Sequence, residues 1–254
     1  MTVPFFGHIY RGYPIAFVVF LSTGLSVGMG QYAFGEFAGP LKEQFGWSQT
    51  QLNLSLAFSF ISGLLAPFIG NLSDRIGIRP VMFVSLLLIA SGFLLRPLIS
   101  ELWHWYLFSG LVYAGFPGAT IMPAGKMVGL WFPKTRGRVM GAVVAGNNFG
   151  GVTMPPLAAG IIGVLSWQMA YVTFGVIMVV LGLVALFVIM EDENKVEDEM
   201  KRTGRGDQAH VARYAARAGI TVKQALVNRN FWLIMIGLVA ATFTYQGVLT
   251  QLRQ

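Results

Sequence analysis

The sequence predicts an all-α integral membrane protein with about seven transmembrane helices. The composition is the first indication, since hydrophobic residues make up 55% of the 254 positions and charged residues only 11%. Soluble domains carry about 25% charged residues, so most of this surface is expected to face lipid. The second indication is that no apolar run alternates with a period of two, and only helices or closed barrels satisfy backbone groups inside a bilayer.

Seven apolar runs approach the roughly 20 residues that a membrane-spanning helix needs. They are Tyr13–Phe37, Leu52–Ile69, Val81–Ile99, Trp105–Leu130, Val139–Leu165, Ala170–Met190 and Phe231–Thr250. The predicted organisation is a six-helix bundle over residues 1–190, a hydrophilic linker over 191–230 and the first helix of a further bundle over 231–254. We expect the linker, which opens acidic and turns basic, to be solvated and partly helical.

The basic residues indicate the orientation of the chain in the membrane. The net charge is +7, and most lysines and arginines lie in the linker and between alternate apolar runs. Cytoplasmic loops carry an excess of these residues, so the N-terminus and the linker are predicted to be cytoplasmic. The expected location is a cell membrane, the bacterial inner membrane. Because the basic charge lies between apolar runs rather than on a soluble face, no nucleic-acid partner is expected.

The sequence argues against several other classes of membrane protein. It contains no cysteine, and its three histidines are far apart in the chain, so neither a metal nor another cofactor is expected. A retinal protein needs a lysine in the seventh helix, and Phe231–Thr250 contains none. There is no buried catalytic dyad or H-E-x-x-H pattern, so we predict that the chain is not an enzyme. A channel or a seven-helix receptor remains as an alternative.

The segment between the second and third apolar runs carries the most specific pattern. Its residues are Gly70-Asn71-Leu72-Ser73-Asp74-Arg75-Ile76-Gly77-Ile78-Arg79-Pro80. We expect Gly70 to let the second helix end close to a neighbour, and Gly77 to adopt a positive φ in a tight reversal. Arg75 and Arg79 are expected to reach lipid headgroups or a partner carboxylate, and Asp74 needs a partner of its own.

This segment resembles the signature loop of the major facilitator superfamily, G-x-L-[AS]-D-R-x-G-x-[RK], at every specified position. The resemblance implies solute transport by alternating access, with about twelve spans in two six-helix halves around a central cavity. It also implies a gating role for Asp74, which would brace the inner ends of helices from both halves. The chain then corresponds to a six-helix N-terminal bundle plus the first helix of the second half.

Further segments resemble the monocarboxylate and oxalate/formate exchanger branch of that family. They are Trp131–Gly141, Gly146–Gly151, Ser166–Tyr171 and Phe231-Trp232. The branch implies a small organic anion as the solute, moved together with a coupling ion. Many drug-exporting relatives carry an arginine in the fourth helix, and its absence from the run Ser109–Gly115 disfavours drug antiport. Glu36 stands where some monocarboxylate relatives carry a lysine, so their proton-coupled mechanism is not carried over.

The length of the chain gives a further expectation. Because the second half of the family fold is missing, a C-terminal half or a second copy of the chain is needed for function. The chain alone is therefore expected not to perform alternating access. The alternative is a truncated remnant that transports nothing.

Polar residues within the apolar runs are candidates for a solute pathway, because polar groups at membrane depth usually face a cavity or a partner. We expect Tyr32, Tyr113 and Asn147 to face the cavity, with Asn148 as a further candidate. For each of them, hydrogen bonding between helices is the alternative. Lys126 is expected either to attract an anionic solute or to extend its ammonium group to the membrane surface.

Two other groups of residues invite structural expectations. Arg96 is expected to pair with Glu36 or Glu101. The fifth run is rich in glycine, with Gly146 and Gly150 one helical turn apart. Such small residues let membrane helices approach closely, and they also fit a flexible helix that moves during transport.

Overall fold

The structure is a computed structural model that describes residues 10–205, 224, 227–237 and 240. The chain divides into two compact units, Met1–Arg213 and Tyr214–Gln254. Every residue range assigned to regular structure in the described part is helical, which confirms the all-α class. In the second unit, residues 229–237 are helical, and the side chain of Asn228 accepts a hydrogen bond from the backbone of Asn230 at 2.9 Å.

The first unit contains six successive helical rods followed by one short helix. Rod 1 comprises α1 (Gly12–Val27), a π-helical turn (Gly28–Tyr32) and α2 (Phe34–Phe45). Rod 2 comprises α3 (Gln49–Ala57) and α4 (Ser59–Ile76), and rod 3 comprises α5 (Ile78–Leu94) and a 3-10 turn (Arg96–Leu98). Rod 4 comprises α6 (Leu102–Ala119) and α7 (Ile121–Trp131), and rod 5 comprises α8 (Arg136–Val144) and α9 (Gly146–Val164). Rod 6 is α10 (Trp167–Val188), and the linker helix is α11 (Glu193–Arg202).

Rods 1, 2, 3, 4 and 6 are long and apolar enough to cross a membrane, in agreement with five of the seven predicted spans. Rod 5 follows the predicted run Val139–Leu165 but is not one of these five, since Asn147 and Asn148 make its sequence more polar. The seventh predicted span, Phe231–Thr250, lies largely outside the described residues. Ser48 caps α3 in a reciprocal arrangement with Gln51, which satisfies free N–H groups of the first turn.

Rod 4 contains two prolines, each of which leaves one backbone carbonyl without its helical donor. Pro117 has no N–H to offer the carbonyl of Tyr113, four residues earlier. The Oγ of Ser62 in rod 2 donates to that carbonyl at 2.5 Å. A neighbouring rod thus supplies the missing donor, as membrane helices with proline require.

The carbonyl that the second proline of rod 4 leaves free also receives a hydrogen bond from another rod. Pro123 lies four residues after Ala119, whose carbonyl accepts a hydrogen bond of 2.5 Å from the Oγ of Ser22 in rod 1. Ser22 is fully buried, so no water replaces it as a donor. Rods 1 and 2 therefore hold rod 4 through carbonyl groups that proline has freed.

We expect Ser22→Ala and Ser62→Ala each to destabilise the folded chain by about 1–3 kcal/mol, because each leaves a carbonyl without a partner. The measurement is the midpoint of thermal unfolding in detergent. Ser91→Ala is the control, since its hydroxyl donates within its own helix to Leu88 at 2.8 Å. Equal midpoints for all three variants would contradict the assignment.

A buried arginine lies at the far end of rod 3. Arg96 is 5% exposed, and its guanidinium carbon lies 4.3 Å from the ring centre of Trp105 and 4.4 Å from that of Tyr171. Aromatic faces attract such a cation. The predicted pairing with Glu36 or Glu101 is wrong for the described residues, in which no ion pair joins Arg96 to either carboxylate. Rings from neighbouring rods surround the charge instead.

Candidate functional site

The segment Gly70–Arg79 is mostly helical, which corrects its prediction as a loop. Helix α4 continues through it to Ile76, and α5 begins at Ile78, so Gly77 alone separates the two helices. The expected role of Gly70 is also wrong within the described structure, because a Cβ there would meet only the end of Met122, at 3.5 Å. The charged side chains end the apolar run but not the helix, since a helix that leaves the membrane still forms its own hydrogen bonds.

Gly77 makes the reversal between rods 2 and 3 possible. Its φ of 94° and ψ of 161° lie in a region that only glycine adopts readily. A Cβ at this position would also overlap the carboxylate of Glu191 and lie 2.8 Å from its Cδ. The predicted positive φ is therefore confirmed, and a second reason for glycine appears in the packing.

Glu191 ties the end of rod 6 to the start of rod 3. Its carboxylate accepts hydrogen bonds from the backbone N–H of Ile78 at 2.5 Å and of Arg79 at 3.3 Å. Negative charge at a helix N-terminus is favourable because the free N–H groups point towards it. The Nε of Arg79 also donates to the carbonyl of Leu186 at 2.5 Å. The sequence analysis missed Glu191, because only the fold brings these two ends together.

Asp74 and Lys126 form an ion pair between rods 2 and 4. The Nζ of Lys126 lies 2.5 Å from Oδ1 of Asp74 and donates to the Oγ of Ser73 at 2.6 Å. The side chains of Asp74 and Lys126 are 72% and 36% exposed, and exposed pairs contribute about 0–1 kcal/mol to stability. Arg75 is exposed on the same helix end. We call Asp74, Gly77, Arg79, Lys126 and Glu191 the gating corner, after the gating role that the family resemblance implies for Asp74.

Two of the predicted pathway residues, Tyr32 and Tyr113, lie at the π-helical turn of rod 1. Tyr32 ends this turn, and a Cβ on Gly151 of rod 5 would lie 3.2 Å from its ring. Tyr113 is 3% exposed and its hydroxyl lies 3.5 Å from the carbonyl of Gly30 in the same turn, which fits the interhelical alternative. π-helical turns are frequent at functional sites, and nothing in the sequence pattern predicted this one.

The two asparagines of rod 5 have different surroundings. Asn148 is exposed, whereas Oδ1 of Asn147 is buried and has no hydrogen-bond partner among the described residues. The hydroxyls of Thr23 and Ser26 in rod 1 are likewise buried without a partner in that part of the chain. The structure thus places Tyr32, Tyr113, Asn147 and Asn148 on rods 1, 4 and 5, while Lys126 joins the gating corner.

Rods 1 and 5 meet through glycine. A Cβ on Gly28 would lie 2.7 Å from the carbonyl oxygen of Gly150, and one on Gly150 would overlap the carbonyl oxygen of Gly24. A Cβ on Gly146 would lie 2.6 Å from the carbonyl oxygen of Phe20. These distances confirm the predicted close approach of helices through small residues. The contact lies beside Asn147 and Tyr32.

Arg205, three residues after the end of the linker helix, covers the start of rod 1. The guanidinium carbon of Arg205 lies 4.0 Å from the ring centre of Tyr10, and its Nη2 donates to the hydroxyl of Tyr13 at 3.2 Å. Tyr10 donates in turn to the carbonyl of Trp131 at 2.5 Å. Val196 and Met200 of α11 are buried. The first part of the linker is thus helical and packed, and only its outer face is solvated.

Burial raises the pKa of Tyr10 to about 12, although the charge of Arg205 acts in the opposite direction. An unfolded tyrosine titrates near pH 10. Between about pH 10 and pH 12 the unfolded chain therefore loses this proton first, and the stability that Tyr10 contributes falls as the pH rises. Below pH 10 that contribution is complete.

We therefore expect the difference in unfolding midpoint between the wild type and Tyr10→Phe to shrink or reverse between pH 10 and pH 12. The difference removes the effect of lysines and other tyrosines that titrate in the same range. A difference that stays constant across this window would contradict the raised pKa.

Sequence comparison with known proteins agrees with the membrane fold described above. A sequence model of the Major Facilitator Superfamily matches residues 16–253. The tetracycline resistance protein, class E, of Escherichia coli is 29% identical over 187 residues, which cover 73% of this chain and 45% of that protein. The uncharacterized transporter YybO of Bacillus subtilis is 26% identical over 227 residues, 85% of this chain and 50% of the relative. The galacturonate transporter of Dickeya chrysanthemi is 29% identical over 216 residues, 80% and 60% respectively.

The chain thus spans about half the length of the curated relatives it matches. The family model covers almost all of the chain, and relatives with transporter names agree with it. Both comparisons support a multi-pass membrane protein, and they agree with the prediction that the chain is not an enzyme. We conclude that this chain belongs to the Major Facilitator Superfamily.

Proposed function

We propose that this chain forms the first half of a secondary carrier that moves a small organic anion by alternating access. The observation that carries the proposal is the ion pair between Asp74 and Lys126, which joins the ends of rods 2 and 4. Its members are exposed, so the pair contributes little to stability and breaks at low cost. A contact of this kind suits a gate, because a carrier must open and close the same end repeatedly.

The rest of the gating corner supports this reading. Gly77 and Glu191 fix the reversal between rods 2 and 3 against the end of rod 6. When rod 2 moves, this rigid corner would carry the start of rod 3 with it. From the positive-inside rule, we propose that the corner lies on the cytoplasmic side with the N-terminus and the linker, and that the membrane is a bacterial inner membrane.

Rod 2 also presents a surface that the first unit does not cover. Only 11% of its most apolar stretch of 18 residues is buried, and its exposed side chains include Leu54, Phe60, Leu64 and Phe68. A contiguous apolar face needs lipid or protein against it. We infer that a second bundle covers it in the working carrier, either a C-terminal half or a second copy of this chain.

The solute class follows from charge and from one relative. The net charge of +7 favours anions near the protein, and the galacturonate transporter carries in its name a sugar acid. Tyr32, at the end of the π-helical turn, and Asn148, exposed on rod 5, carry hydrogen-bond donors, and a carboxylate accepts such bonds. Monocarboxylates belong to the same chemical class, and a coupling ion would move with them.

A second candidate is export of a larger amphipathic compound, which the tetracycline resistance relatives favour. The lack of an arginine between Ser109 and Gly115 speaks against it. A remnant without transport activity is the third reading.

The sharpest test compares galacturonate with galactose, which differ only at C6, where galactose has a hydroxymethyl group in place of the carboxylate. We expect the purified chain to bind galacturonate at least tenfold more tightly in equilibrium dialysis, a difference of about 1.4 kcal/mol. Tyr32→Phe and Asn148→Ala should each weaken that binding. Equal binding of both sugars would contradict the anion assignment.

Transport is tested with a chimera in which this chain replaces the aligned part of the galacturonate transporter. We expect saturable uptake from the chimera and none from vesicles that contain the chain alone. Asp74→Asn should alter the uptake rate of the chimera more than its unfolding midpoint. Saturable uptake by the chain alone would show that a second copy of the chain, rather than a separate C-terminal half, completes the carrier, and non-saturable flux would indicate a channel.

A further inference from the structure

A cavity of about 290 Å³ lies where the start of rod 1, the end of rod 6 and the linker helix meet. It is lined by Arg11, Met190, Lys195, Asp198, Glu199 and Arg202. None of these residues belongs to the gating corner or to the proposed solute pathway. The buried side chains of Val196 and Met200 hold α11 against the bundle, so the cavity has a fixed wall on the linker side.

Part of the charge in this cavity is already neutralised within the chain. Lys195 pairs with Asp192 at 3.3 Å, and Arg202 pairs with Glu199 at 3.1 Å. Both pairs connect residues three positions apart on the surface of α11, a spacing at which side chains meet. They therefore need no ligand to compensate them.

Arg11 and Asp198 remain as one cation and one carboxylate in the same cavity. Arg11 contacts the Sδ of Met190 at 3.9 Å, and within residues 10–205 no ion pair forms at Arg11 or at Asp198. The two charges face a common space without meeting each other. A ligand that carries both an anion and a cation a few ångströms apart would compensate both at once.

Rod 6 has an exposed apolar surface, and its helix ends two residues before Met190, which lines the cavity. Its exposed apolar side chains are Val176, Val180, Leu183, Val184 and Phe187. Phe187 is 75% exposed and lies in the last turn of the helix, three residues before Met190, which lines the cavity. On a helix that crosses a membrane, such a stripe faces acyl chains, and the mixed charges lie where the acyl region gives way to headgroups.

We propose that this cavity binds the headgroup of a zwitterionic phospholipid that carries a primary ammonium group, of the phosphatidylethanolamine type. The guanidinium of Arg11 binds the phosphate, since its planar donors match phosphate oxygens. Asp198 accepts hydrogen bonds from the ammonium group, and the acyl chains lie along rod 6. A choline headgroup has no N–H donor for Asp198, and a purely anionic headgroup places like charge beside it.

The test is lipid retention by the purified full chain, measured by native mass spectrometry in mixed micelles. We expect phosphatidylethanolamine to be retained at least about tenfold over phosphatidylcholine and over phosphatidylglycerol. Arg11→Gln and Asp198→Asn should each lower retention about tenfold, in line with the loss of a charged hydrogen bond. Arg11→Lys should lower it by less than Arg11→Gln, because the positive charge remains while the planar donors are lost.

Lys201→Gln and Glu193→Gln are matched controls, since both residues are on α11 but outside the cavity, and they should change nothing. Circular dichroism shows whether each variant keeps its helices. Equal retention of the three lipids, or retention that ignores both Arg11→Gln and Asp198→Asn in folded protein, would overturn the proposal. Displacement of the lipid by an equal concentration of soluble phosphoethanolamine would overturn the assignment to a lipid.

Discussion

Gly150→Ala is expected to lower the midpoint of thermal unfolding by about 10 °C, because the new methyl group overlaps the backbone of rod 1. The obstacle is the carbonyl oxygen of Gly24, which cannot rotate away as a side chain would. Overpacking of this kind costs about 1–3 kcal/mol and occasionally more. A loss of about 3 kcal/mol gives the expected change in a chain of this size.

The same rod provides the matched control. A Cβ on Gly160 meets nothing within 4 Å, so Gly160→Ala keeps the midpoint or raises it slightly, since alanine favours a helix over glycine. Both variants add one methyl group to α9, and only the position differs. Equal midpoints for the two variants would show that rods 1 and 5 do not meet at this contact.

Gly77→Ala is expected to destabilise the gating corner by about 3 kcal/mol, through two separate effects. A non-glycine residue in this backbone conformation costs on the order of 1–3 kcal/mol. The added Cβ also collides with the carboxylate of Glu191 and pushes it from the N-terminus of α5. The measurement is the unfolding midpoint, together with trypsin cleavage after Arg75.

A double-mutant cycle separates these two effects. In a Glu191→Ala background the collision is gone, so Gly77→Ala should cost only the backbone strain, about 1–2 kcal/mol less than in the wild type. Gly63→Ala in rod 2 is the control, because a Cβ there has open space. An equal cost of Gly77→Ala in both backgrounds would mean that Glu191 does not occupy this position.

Much of the fold could be predicted because the bilayer imposes a length on every helix that crosses it. Apolar runs predicted the order of rods 1 to 6. The positive φ of Gly77 was also predictable, because the reversal between two antiparallel helices is short. Each of these features depends on residues that are near one another in the sequence.

One missed feature is the end of a helix, and the others are contacts between residues far apart in the sequence. Hydropathy reports contact with lipid rather than helix formation, so α4 appeared to end seven residues early, at Ile69 instead of Ile76. The contact of Glu191 with Ile78 joins positions 113 residues apart. The rings around Arg96 come from several rods. A carboxylate partner was predicted because the sequence does not show which aromatic rings will surround a buried cation.

The serine donors of rod 4 have a consequence for the synthesis of this protein. A segment with two unpaired carbonyls is costly to transfer into hydrocarbon, yet both donors, Ser22 and Ser62, belong to segments that the ribosome makes earlier. When rod 4 enters the membrane, rods 1 and 2 with these two serines have already been inserted. Moving rod 4 to the front of the chain, with every residue unchanged, should therefore delay its insertion even though the finished contacts are the same.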